Sequence, residues 1–91
     1  MNAERRKRIR AVLTSLDNIV DLINDAYTEI DEVSADEQAA YDNLPDSIQQ
    51  SERGERMEEV ASELADIADL INALAEDANE IFVQLEDLVA D

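Results

Sequence analysis

Two series of carboxylates recur at helical spacing. Asp17, Asp21 and Asp25 form one, with Glu29 and Glu32 beyond them. Glu55, Glu59 and Glu63 form the other and continue into Asp66, Asp69, Asp77 and Glu80. Paired carboxylates do acid–base chemistry or ligate metals when a pocket perturbs their pKa. With 24 acids in 91 residues, a pair alone carries no such signal. The chain has no His and no Cys, which removes imidazole catalysis, thiol nucleophiles, disulfides and the usual zinc ligands. Carboxylate-bridged metal sites in helical bundles also recruit histidines. One glycine excludes GxxxxGK[ST] and GxGxxG loops, and no EF-hand loop is present. No catalytic, cofactor-binding or metal-binding residues are assigned, and no enzyme activity is expected.

What the carboxylates can do is present a charged surface. At i,i+3 and i,i+4 spacing they stand about 5–6 Å apart along a helix. That is comparable to phosphate spacing along a DNA strand, so the acidic face of such a helix suits a cationic groove built for a duplex. A solvated helix face is the plainer reading, and adaptation to high salt is another.

The elements that position these acids follow from the apolar residues. After Ile9, one heptad row is Ile9, Leu16, Ile23, Ile30 and, past Glu37, Leu44. A second is Leu13, Val20, Tyr27 and, past Ser34, Tyr41. A third, Val12, Ile19, Ala26, Val33 and Ala40, runs beside the second. The spacing predicts a long helix over about 3–42, with a kink or fraying near the polar interruptions at Ser34 and Glu37.

The second half repeats the pattern. Its rows are Met57, Leu64, Ile71, Ala78 and Leu85; Val60, Ile67, Leu74, Ile81 and Leu88; and Ala61, Ala68, Ala75, Phe82 and Val89. A second helix is expected over about 55–89, starting as early as Glu52. Its small Ala row allows another helix to approach closely.

Between them lies an elbow over about 43–54, holding the only Pro and the only Gly. Asn43 is expected as an N-cap and Pro45 as the start of a short turn. Ile48 is expected to pack over the bundle end, and Ser51 to cap the second helix.

The predicted fold is all-α: one antiparallel helical-hairpin domain of two long amphipathic helices. Three apolar rows per heptad are more than one partner helix covers. Pairing of two hairpins as a dimeric four-helix bundle or coiled coil is therefore expected. The residues of the dimer interface or core are Leu16, Val20, Ile23, Tyr27, Ile30, Leu64, Ile67, Ile71, Leu74, Ile81 and Leu85.

Charge is unevenly placed. Residues 1–10 hold five basic residues against Glu4, a net +4; the remainder holds 23 acids against Arg53 and Arg56, a net −21; together they make −17. An acidic body of this kind repels nucleic acid and favours basic partners. RRKRIR is expected to neutralise the acidic C-terminal end, with Glu76, Asp77, Glu80, Glu86, Asp87 and Asp91. A nucleic-acid contact through Arg5, Arg6 and Arg8 is the lesser reading, since no aromatic residue is interleaved to stack bases. No apolar run reaches membrane-spanning length and no signal peptide is read.

NAERRKRIR, the segment EQAAYDNLPDSIQQSERGERMEE and the heptads after Val60 together resemble short acidic helical proteins encoded in phages and prophages of Gram-positive bacteria. The resemblance covers nearly the whole chain. It implies a mobile-element origin and a cytoplasmic location in a bacterial host, and names no activity. Small acidic phage proteins include inhibitors of host nucleic-acid-binding defence enzymes. The expected function is thus a non-enzymatic interaction module, an acidic DNA-mimic-like inhibitor of such a host protein. The alternative is a structural or assembly protein working through its apolar stripe. The expected partners are a second copy and a basic host protein, with no cofactor, small-molecule substrate or membrane.

Overall fold

The computed structural model describes residues 1–90. Three helices follow in order: α1 (Ala3–Asp42), α2 (Asp46–Gln49) and α3 (Glu52–Val89). The long helices α1 and α3 pack antiparallel as a hairpin with extents of 69 × 14 × 14 Å. Asn2 starts α1, its Oδ1 accepting from the Arg5 N–H at 2.9 Å.

The seam between α1 and α3 uses two rows from each helix. From α1 come Ile9, Leu16, Ile23 and Ile30, alternating with Leu13, Val20, Tyr27 and Tyr41, and Leu44 continues the first row just past the helix end; all are buried or half-buried. From α3 come Met57, Leu64, Ile71, Ala78 and Leu85, alternating with Ala61, Ala68, Ala75, Phe82 and Val89. Ala61, Ala68 and Ala75 are among the most buried residues of the chain. Small side chains let the helices approach closely, and the larger α1 residues fill the space above them.

The fraying expected near Ser34 is absent: α1 is one uninterrupted helix from Ala3 to Asp42. Ser34 and Glu37 continue the seam rows, buried and half-buried respectively. Ser34 faces the Ala row of α3 and donates its hydroxyl to the Ala61 carbonyl at 2.9 Å. A hydroxyl with a partner opposite a small residue is tolerated in the seam, so the heptad carries through.

Asn43 is the C-cap of α1 and not an N-cap. Its N–H bonds back to the Ala39 carbonyl, and the Leu44 N–H bonds to that of Tyr41. Pro45, at φ −57° and ψ 148°, takes the position before α2. Gln49 then reaches back, donating from Nε2 to the carbonyl oxygens of Tyr41 at 3.0 Å and Asp42 at 3.4 Å. The Tyr41 carbonyl thus accepts from both Leu44 and Gln49, and that of Asp42 is one that a helix end leaves without an intrahelical partner.

Ile48 does not pack over the bundle end but stays exposed. Ser51 caps α3 as expected, its hydroxyl oxygen accepting from the Gly54 N–H at 3.3 Å. Glu52 and Glu55 in the first turn of α3 complement the positive end of the helix dipole.

Gly54 explains why the elbow closes so tightly. Its backbone is helical, and it is buried against the preceding turn. A Cβ there would meet the Gln49 Cα at 2.6 Å and collide with the Ile48 carbonyl oxygen. The connector folds directly onto the first turn of α3.

Candidate functional site

The rows that the seam leaves out define a surface. On α1 these are Val12, Ile19, Ala26 and Val33; on α3 they are Val60, Ile67, Leu74, Ile81 and Leu88. Each row sits one residue before a seam row of its own helix. In an antiparallel pair that phase turns both rows to the same flank. Ile67, Leu74 and Ile81, counted above among the residues of the dimer interface or core, therefore take no part in the core of the hairpin. They are exposed, Leu74 at 56%. The remaining eight of that set, Leu16, Val20, Ile23, Tyr27, Ile30, Leu64, Ile71 and Leu85, all enter the seam.

Two leucines outside the predicted rows widen this flank at its middle. Leu22 is 68% exposed and Leu70 is 70% exposed. The Ser34–Ala61 hydrogen bond fixes the register and places them within about one helical turn, ~5 Å, of the same level. They also stand near the midpoints of α1 and α3. The apolar stripe from Val12 to Val33 is about 30 Å long at 1.5 Å per residue. Periodicity missed Leu22 and Leu70 because they lie off the heptad rows. Their proximity to Ile19 and to Ile67 and Leu74 was the available signal.

The opposite flank is polar. Asp17, Asn24, Asp31 and Gln38 line it on α1, and Glu58, Asn72, Asn79 and Glu86 on α3, all exposed, with Ala65 in the same row and the exposed Val83 beside it as the apolar exceptions. The predicted acids Asp17, Asp21, Asp25, Glu55, Glu59, Glu63, Asp66, Asp69, Asp77 and Glu80 are likewise exposed, spread around the outside of both helices.

Near the elbow, Glu55, Glu59 and Glu63 share an open depression of about 680 Å³ with Tyr41, Gln49 and Glu58. Hydrogen bonding to Glu58 pushes the Tyr41 hydroxyl above its ordinary pKa. Burial adds to this, as do the charges of Glu58, Asp42 and Glu55. Among the described residues, no three carboxylates converge closely enough to hold a metal ion.

Among the described residues the basic N-terminus forms no salt bridge with the acids of the C-terminal end. Arg10 donates from Nη2 to the Val89 carbonyl at 3.4 Å. Among the described residues the only salt bridge is Arg56–Glu59, at 3.2 Å. Arg5 and Arg8 lie toward the apolar flank, away from Glu86 on the polar one, and Arg10, which shares the polar flank with Glu86, has its guanidinium engaged by the Val89 carbonyl. Asp91 lies outside the described residues. Arg5 and Arg8 are exposed; Arg6 is half-buried, and its Nε has no hydrogen-bond partner among the described residues. No helix among the described residues is long and apolar enough to cross a membrane.

Comparison with family models, curated proteins and solved structures finds no match to this chain.

Proposed function

We propose that the chain is a protein-interaction module with no catalytic step of its own. Two hairpins pair through the apolar flank into a four-helix bundle. The acidic outer rows of that bundle occupy the basic groove of a nucleic-acid-binding protein. The resemblance to phage-encoded proteins makes a host defence protein the natural target. Competition with nucleic acid is steric and electrostatic.

The observation that carries this reading is the segregation of the two flanks. Ile67, Leu70, Leu74, Ile19 and Leu22 crowd one side of a hairpin that is otherwise ringed by carboxylates. Contiguous exposed apolar surface of that kind marks an association site. The hairpin is 69 Å long and 14 Å wide, and the apolar stripe runs along about 30 Å of that length at its middle, where a second copy can lie against it.

The test uses a nuclease-treated bacterial lysate passed over the immobilised chain at low salt and eluted by raising salt. Each retained protein is then offered a labelled duplex in competition with the chain. A protein that binds either the duplex or the chain, never both together, supports mimicry. Retained proteins that hold duplex and chain at once refute it.

A second reading draws on the same exposed leucines. In it the chain is an assembly protein whose apolar flank docks on a larger complex. Retention that resists salt and is lost in Leu74→Asp favours this reading over the acidic one.

A further inference from the structure

The charge of the hairpin is distributed along its length as unevenly as its apolar surface is around it. Residues 23–70, the half that contains the elbow, hold 15 acids against Arg53 and Arg56, a net −13. The other half, where both chain ends lie, holds the remaining −4 of the total −17. This asymmetry bears on how a second copy sits on the apolar flank.

Face-to-face pairing about a two-fold axis has two solutions, since the axis must lie in the plane between the hairpins. An axis along the rod keeps both elbows at one end and stacks α1 on the partner's α3. An axis across the rod places each elbow beside the open end of the other copy and stacks each helix on its own counterpart.

We infer that the second copy lies head to tail, with the two-fold axis crossing the flank at Leu22 and Leu70. This inference rests on the self-pairing proposed above and adds its geometry.

Three observations support it. First, Leu22 and Leu70 stand near the midpoints of α1 and α3, so each meets its own counterpart across the axis. Both are among the most exposed large apolar residues of the chain. Second, the α1 row becomes complementary to itself. Val12 opposes the partner's Val33, and Ile19 opposes the partner's Ala26, a large residue against a small one.

Third, the head-to-tail arrangement sets each −13 half against a −4 half, while the alternative sets the two −13 halves together. The product of charges across the interface is lower by roughly 40% in the head-to-tail pair, which favours it at low ionic strength.

The absence of cysteine allows a clean test. Lys7→Cys labels the open end and Ser47→Cys labels the elbow; both positions are exposed. Donor is placed on one variant and acceptor on the other, and the two are mixed while mass is followed by light scattering. Head-to-tail pairing predicts efficient transfer in the mixed sample. It also predicts little transfer when both labels sit at Ser47→Cys, where the elbows stand on the order of 60–70 Å apart. Strong transfer between two elbow labels in a particle of twice 10.2 kDa overturns the arrangement and leaves self-pairing standing. A particle that remains at 10.2 kDa overturns self-pairing itself.

Discussion

Replacing Gly54 with alanine tests whether the elbow is built around that one missing side chain. Two effects oppose each other. Alanine is favoured over glycine inside a helix by about 0.5–1 kcal/mol, and Gly54 has a helical backbone. Against this, the new methyl would stand 2.6 Å from the Gln49 Cα, with the Ile48 and Gln49 carbonyl oxygens also too close. All three obstacles are backbone atoms, so no side chain can rotate away. The connector must lift off α3, loosening the Gln49 bonds to the α1 carbonyls and the Ser51 cap. Overpacking of this sort costs about 1–3 kcal/mol, and cap loss about 1 kcal/mol more. The net expectation is a destabilisation of about 1–3.5 kcal/mol, read as a Tm lower by roughly 5–25 °C for a chain of this size. Thermal unfolding by circular dichroism at one fixed protein concentration measures it. A Tm equal to that of the native chain, or higher, refutes the close-approach argument and leaves only helix propensity.

Other outcomes follow from particular residues. Ser34→Ala removes the buried hydrogen bond to the Ala61 carbonyl and should cost about 0.5–1.5 kcal/mol in urea unfolding with no change in helicity; an unchanged midpoint contradicts the seam role of Ser34. In a Tyr27→Phe background, the ultraviolet titration of Tyr41 should lie above its ordinary value of 10.0 and fall when Glu58→Gln is added. Because the folded value is raised, the stability this contact contributes is present below the unfolded pKa and is lost as pH rises through the folded one. Neutralising Glu55, Glu59 and Glu63 together to Gln should weaken binding to a basic protein at low salt and leave the mass of the particle unchanged; undiminished affinity argues against the acidic face.

The long helices were legible because their rows repeat every seven residues, and Ser51 was legible as a cap because its side chain matches the chemistry of a helix start. Ser34 and Glu37 misled because residue polarity hides the position a residue occupies. In register they are seam residues, and geometry outweighs side-chain type when a carbonyl waits opposite. The exchange between the Ala row and the Ile67–Leu74–Ile81 row has a related cause. Hydropathy ranks the larger residues as core, but two helices in close contact bury the small ones and turn the large ones outward. Asn43 was ambiguous because the same side chain serves at either helix end, and Pro45 settled which. The closeness at Gly54 had no signature beyond the rarity of glycine. The surplus of apolar rows was readable from the start; its collection on one flank needed the antiparallel phase of both helices.

The most direct measurement is the mass of the native chain beside that of Leu70→Lys and Leu74→Lys, by sedimentation equilibrium across a salt series. Both leucines are more than half exposed in the single hairpin, so either change should leave helicity and hairpin folding nearly unaltered. The native chain should sediment at twice 10.2 kDa, and more tightly as salt screens the repulsion between two bodies of −17 each, while both variants sediment at 10.2 kDa. A native chain at 10.2 kDa in every salt, or variants that pair as well as it does, contradicts association through the apolar flank.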